Sequence, residues 1–154
     1  MNVIKIIDNY FEGKSEDVIR QKLNDLMGFD SLDKTAYKAG TGQLTSIKNI
    51  FEKLVSKRDL EKMQTNWRPD GWCCPIKKNG RAKIDDVAFV FETKKYNTSS
   101  TDFGDNEKNQ LKKYVISFGT VYSKVIGILW DGKNVYVLKF EHGVITVLDT
   151  EKNI

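Results

Sequence analysis

The sequence predicts an α/β fold in which helices flank a central mixed β-sheet, with residues 1–154 forming one domain. Three observations carry this. Apolar residues recur at helical spacing in the first third and again over residues 105–118. Residues 87–91, "VAFVF", form a nearly continuous apolar run of the kind buried inside a sheet. After Ser123 come three short strand-like stretches separated by turn residues.

In chain order, residues 3–10 are apolar on one side and predict a short helix. Ser15, followed by Glu16 and Asp17, reads as a cap and an acidic first turn. Ile19, Leu23, Leu26 and Met27 supply that helix's apolar stripe, and Gly28 its stop. Residues 30–45 have scattered glycines and little periodicity, a connection with room for a short strand. Ile47, Ile50, Phe51, Leu54 and Val55 mark another helix, which Asp59, Leu60 and Met63 continue or restart.

From Arg68 the pattern changes. "RPDGW" is a turn, "GWCCPI" a strand, "KKNGR" a tight hairpin turn and "KIDDVAFVFETK" the returning strand. "YNTSSTDFGDN" is a polar loop. "DNEKNQLKKYVISF" is helical, with Leu111, Val115 and Phe118 on one side. "KVIGILW", "NVYVLKF" and "VITVLD" close the chain as strands, joined by turns at "DGKN" and "EHG". No internal repeat, low-complexity segment or interdomain linker interrupts this order. The chain stops just after a core strand, as a domain cut from a longer polypeptide would.

Composition narrows the function classes. Hydrophobic residues make up 40% and charged residues 30%, the balance of an ordinary globular chain. The net charge of +4 is compatible with a nucleic-acid partner and does not by itself point to one. No run is long enough to span a membrane and the N-terminus lacks a signal peptide's cleavage region, so a cytoplasmic location and no membrane partner are expected. Cys73 and Cys74 are adjacent, point to opposite faces of a strand, and have no nearby His, which argues against a zinc site or a bridge. The single histidine, His142, falls in a turn, so a serine or cysteine hydrolase triad is not expected.

The end of the second hairpin strand is chemically unusual. "FETKKY" takes a core strand straight into Glu92, Lys94 and Lys95, and buried charges cost several kcal/mol unless paired. Glu92 and Lys94 share a strand face, while Thr93 and Lys95 point the other way. Pro69-Asp70 opens the antiparallel partner strand, so Asp70 can approach Glu92 and Lys94 across the hairpin. Two carboxylates and an ammonium at one sheet end suit Mg²⁺ and a phosphodiester. Lys94 would hold or deprotonate the attacking water, or stabilise the charged phosphate. Asp85 and Asp86 are acidic as well; Asp86 shares the face of Glu92 but lies roughly 20 Å down the strand.

Pro69-Asp70, a hairpin, and Glu92-Thr93-Lys94 resemble the PD-(D/E)xK nuclease superfamily, and the helix, strands, helix, strands order is similar to that family's core. Gln110 and Tyr114, one helical turn apart in "QLKKY", resemble the Gln-x-x-x-Tyr motif of RecB-type nucleases and of the nuclease domains of type I restriction motor subunits. "KVIGILWDGKNVYVLKF" is similar to the segment that follows in those domains. The resemblance covers the last half of the chain and the first third in outline.

It implies a restriction-endonuclease-like fold and a Mg²⁺-dependent DNA endonuclease. Asp70 and Glu92 would hold the metal, and Lys94 and Glu16 would join them in catalysis. Gln110, Tyr114, Lys95 and Lys112 would position the nucleic acid or the site. It also implies a module of a restriction-modification or related defence system, with motor, methyltransferase or specificity domains as partners. The alternative is a catalytically inactive module of the same fold that binds DNA or a partner protein, and RNA is a further substrate class that the chemistry admits. Glu16 reads equally well as a first-turn carboxylate favoured by the helix dipole. Lys77, Lys78, Arg81, Lys83, Lys108 and Lys113 are expected to flank the site together with Lys95 and Lys112, making nucleic-acid binding salt-dependent. No aromatic platform or base-reading helix is evident.

Overall fold

The computed structural model describes residues 10, 12–41, 45–63, 67–96 and 102–148. The helix expected over residues 3–10 lies outside them except for Tyr10, as does the centre of the polar loop at 97–101.

The first described helix, α1 (Glu16–Met27), begins after Ser15 and ends on Gly28 at φ 68°, whose amide returns to the carbonyls of Asn24 and Asp25. Ser15 stands at the cap position, but its side chain makes no capping hydrogen bond. The inward stripe is Ile19, Leu23 and Asn24; Leu26, expected to face inward, is exposed. A short 3₁₀ turn, Phe29–Ser31, leads to β1 (Tyr37–Thr41), the strand that the connection had room for.

The helix expected over 47–55 stops early. It is α2 (Ile47–Phe51), and a separate turn, α3 (Lys57–Leu60), restarts behind Ser56, whose hydroxyl accepts from the Asp59 amide. The break has a cause in hydrogen bonding. The Leu54 carbonyl accepts from the Ala82 amide and the Val55 carbonyl from the Arg81 guanidinium, so neither continues a helical ladder.

The remaining elements are β2 (Gly71–Pro75), β3 (Val87–Thr93), α4 (Asp105–Gly119), β4 (Lys124–Trp130), β5 (Val135–Glu141) and β6 (Val144–Leu148). They complete a six-stranded sheet in sequence order β1 to β6. The β3–β4 pair is parallel and every other pair antiparallel, so the sheet is mixed. Antiparallel strands can be joined by a short turn, as β4, β5 and β6 are, whereas a parallel pair needs a crossover, which α4 supplies.

Alternation sorts the strands' side chains between two faces. Ala88 and Val90 of β3, with Trp72 and Cys74 of β2 and Val125 and Leu129 of β4, pack against α2 and α4 through Ile47, Ile50, Phe51, Leu111, Val115 and Phe118. Phe51 and Phe118 meet edge to face at 4.9 Å. On the opposite face Cys73 and Phe91 pack with Leu23 and Phe29, and Ile19 with Tyr96. The adjacent cysteines are therefore free thiols in separate cores. Burial pushes the Cys73 thiol up to about 11 and Cys74 further still, so both stay protonated and inert. Among the described residues no helix is long and apolar enough to cross a membrane.

Gly71 is where β2 meets β3 most tightly. A β-carbon there would lie 1.8 Å from the Phe91 ring, so the first residue of β2 has to be glycine for Phe91 to cross over it. That close approach leaves Asp70, the preceding residue, pressed against the end of β3.

Candidate active site

The β2–β3 register pairs Gly71 with Phe91, which brings Asp70 level with Glu92 at one end of the hairpin. The Asp70 amide donates to Glu92 Oε1 at 3.0 Å. The Asp70 carboxylate in turn accepts from Thr93 at Oδ2, from its amide at 2.7 Å and its hydroxyl at 3.1 Å. Both carboxylates are sealed in, at 0% and 1% exposure. Each thus spends one oxygen on the backbone of the opposite strand, which locks the pair in place.

The second oxygens have no such partner. Asp70 Oδ1 and Glu92 Oε2 are buried and accept no hydrogen bond from the described residues. The nearest cations among the described residues stand beyond hydrogen-bond range, Arg20 Nη1 at 3.8 Å from Asp70 Oδ1 and Lys94 Nζ at 3.7 Å from Glu92 Oε2.

Two helices from opposite faces of the sheet meet at this end. From α4, Gln110 Oε1 accepts from Lys94 Nζ at 3.0 Å, and Gln110 Nε2 donates to the Tyr114 hydroxyl at 3.1 Å. The four-residue spacing puts both α4 side chains on one flank, so a single chain of contacts runs from Tyr114 through Gln110 and Lys94 to Glu92. The Lys94 amide is fixed by the Trp130 carbonyl at 2.9 Å, so β4 also holds the end of β3. From α1, Arg20 bridges Asp17 and Asp70. Glu16, one turn earlier, lies within electrostatic reach of Asp70 and Lys94.

The charges act on one another strongly. Burial, then the Asp70 charge, push the Glu92 carboxyl up to about 8; the Asp70 amide and Lys94 oppose the rise and Glu16 adds to it. Glu16 is raised as well, first by burial and then by Asp70, with Lys94 and Arg20 opposing. Burial and the Glu92 charge push the Tyr114 phenol up to about 12, which keeps it protonated at neutral pH.

Mg²⁺ fits this donor set. Among the described residues no three His, Cys, Asp or Glu side chains form a metal cage of their own. Mg²⁺ does not need one, because it characteristically takes one or two carboxylates and completes its shell with water and phosphate oxygens. The two carboxylate oxygens that accept no hydrogen bond are the groups it would use.

The other expected site residues divide. Lys95 is exposed beside the site, and Lys112 lies on an open groove shared with Gln110 and Tyr114. Lys77, Lys78, Arg81 and Lys83 do not flank it: they lie past the opposite end of β2, roughly 15–20 Å away by strand rise. Arg81 there caps the carbonyls of Lys53 and Val55, and Lys83 pairs with Asp86. Lys108 pairs with Asp102 and sits 5.0 Å above the Tyr136 ring.

Three contributors were not legible beforehand. Thr93 was expected simply to point away from the site, yet it anchors Asp70. Arg20 gives no signal beyond lying one turn after Glu16. Trp67 stands before the Pro-Asp turn with nothing to show that it meets Tyr114, which it does edge-on at 6.1 Å.

Comparison of the chain with protein-family models, with curated proteins and with solved structures returns no match. The described residues form an α/β fold with a six-stranded mixed sheet between helices.

Proposed function

We propose that this chain is a Mg²⁺-dependent endonuclease of restriction-endonuclease-like fold that hydrolyses DNA phosphodiesters, with Asp70, Glu92 and Lys94 as its catalytic set. The observation that carries this reading is the pair of buried carboxylate oxygens, one from each strand of a hairpin, that accept no hydrogen bond and stand beside an ammonium. A structural ion pair at a strand end would satisfy its lone pairs or lie in water, because a buried polar atom without a donor costs about 1–3 kcal/mol.

Asp70 and Glu92 would hold the metal, which when bound makes a coordinated water more acidic and offsets negative charge on the phosphate. The chain's own groups account for the rest. Lys94 Nζ, steered by Gln110, is the group to orient the attacking water and to stabilise charge on the phosphate oxygens. Tyr114 holds the Gln110 amide so that its oxygen, not its nitrogen, faces Lys94. Arg20 is partly exposed and is suited to meet a phosphate oxygen from the α1 side. Glu16 borders the pair and adds negative charge to it, which favours a cation there.

The resemblance to type I restriction motor subunits extends the proposal to a nuclease module of a restriction-modification or related defence system. Motor, methyltransferase or specificity domains would then supply target choice. The rival reading, an inactive module of the same fold that binds DNA or a protein, predicts binding without turnover. The test is incubation with supercoiled plasmid in Mg²⁺ and in EDTA, with an RNA substrate in parallel. Metal-dependent nicking of the plasmid supports the nuclease; nicking in EDTA, or none under either condition, rejects it.

A further inference from the structure

Next to the candidate site, α4 borders an open groove of about 660 Å³ lined by Trp67, Asn106, Asn109, Gln110, Lys113 and Tyr114. That volume falls within the range of about 300–1,000 Å³ usual for small-ligand sites. The composition is specific in kind. It offers one large aromatic plane, carboxamides that can both donate and accept, and ammonium groups from Lys113 and the neighbouring Lys112. Among the described residues no carboxylate lines it. Gln110 and Tyr114 belong to the groove and also to the chain of contacts that ends on Lys94, so its occupant would extend toward the carboxylate pair.

We infer that this groove is a seat for an unpaired nucleotide, in which Trp67 stacks on a base of a single-stranded segment leading into the site. The inference rests on the nuclease reading of Asp70, Glu92 and Lys94 and adds the form of substrate they meet. In a duplex the faces of the bases are covered by their neighbours, so an indole in a groove can stack only on a base that has left the stack. The carboxamides of Asn106 and Asn109, four and one residues before Gln110, can reach the exposed edge of such a base. Lys113 Nζ now lies 5.6 Å from the centre of the Trp67 ring. An incoming base would take that position and leave the ammonium to a phosphate, so the cation–π contact keeps the platform covered until nucleic acid arrives.

The test is a binding titration in EDTA, where turnover plays no part, with a short labelled single-stranded oligodeoxynucleotide and the same sequence as a blunt duplex. A single-stranded oligoribonucleotide serves as a third arm for the choice of sugar. The wild type should bind the single strand more tightly than the duplex. Trp67→Ala should weaken single-strand binding about ten- to a hundredfold, the loss usual for one base–aromatic stack. Trp67→Phe, which keeps a stacking plane and tests for collapse of the fold, should recover most of it. Lys113→Ala should lower the salt dependence by about one phosphate's share, a slope change of about 0.7. The inference is overturned by no single-strand binding, by a preference for the duplex, or by Trp67→Ala binding like wild type. The two readings fail separately: Mg²⁺-dependent cleavage indifferent to Trp67→Ala removes the groove and keeps the nuclease. Trp67-dependent binding without any cleavage does the reverse.

Discussion

Asp70 and Glu92 hold each other in place across the β2–β3 hairpin: the Asp70 amide donates to Glu92 Oε1 at 3.0 Å, and the two carboxylates lie side by side out of solvent. The backbone thereby fixes two carboxyl groups where burial, and then the Asp70 charge, disfavour ionising Glu92. The folded chain bears that cost.

Stability of the metal-free protein should fall as pH rises from about 4.5 to about 8. The Glu92 carboxyl is raised from 4.5 to about 8 in the folded chain, so over that interval the folded state keeps a proton that the unfolded state releases. Fewer protons bound by the unfolded state means a negative slope of unfolding free energy with pH. Glu16, also raised, contributes in the same direction. Melting temperatures in EDTA across this range check the claim; a flat or rising profile contradicts it.

Glu92→Gln should remove most of that slope and raise the melting temperature at pH 8 in EDTA. The amide keeps an oxygen for the Asp70 N–H and carries no charge for Asp70 to repel. Mg²⁺ should stabilise the wild type at the same pH by binding the folded state alone, and should leave Glu92→Gln unmoved. Calorimetric melts of both proteins with and without Mg²⁺ decide this; equal stabilisation of both would take Glu92 out of the metal site.

Gln110→Ala should slow cleavage about five- to tenfold with little change in substrate affinity. It deletes the acceptor that steers Lys94 Nζ, a hydrogen bond worth about 1 kcal/mol. Tyr114→Phe acts one contact further away and should cost less. Single-turnover rates and binding constants for both variants test the order; a larger loss from Tyr114→Phe would mean that the tyrosine meets the substrate itself.

Gly71→Ala should destabilise the fold by about 2 kcal/mol, because the new methyl group would overlap the Phe91 ring. In a chain of this size that lowers the melting temperature by about 5 °C. A variant that melts with the wild type would show that Phe91 can move aside at no cost.

Much of this site could be read from the chain because it depends on local order. Strand alternation places Glu92 and Lys94 together, the hairpin brings Asp70 opposite Glu92, and helical spacing aligns Gln110 with Tyr114. The first follows from the strand's period of two, the second from antiparallel pairing and the third from the helix's period of 3.6. What could not be read depends on contacts distant in sequence. The break after Phe51 comes from carbonyls captured by Arg81 and Ala82, some thirty residues on. The lysines at 77–83 lie away from the site for a related reason. They are close to Glu92 along the chain, but the hairpin carries its turn to the opposite end of the strands. Arg20 and Trp67 reach the site only through the packing of α1 on one face and the approach of the 67–70 segment to α4, which no local pattern encodes.

The most direct test of the proposed chemistry is the rate at which supercoiled plasmid is nicked in Mg²⁺ by wild type and by Lys94→Ala. Lys94 is partly exposed, and its backbone is held by Trp130 whatever its side chain, so the variant should keep the fold, at some loss of stability from the contacts to Glu92 and Gln110 that a melt at the assay temperature measures. The account predicts metal-dependent nicking by the wild type and a rate at least about a hundredfold lower for Lys94→Ala, the scale set by losing a proton-transfer or charge-stabilising group. A Lys94→Ala protein that nicks at the wild-type rate would contradict it.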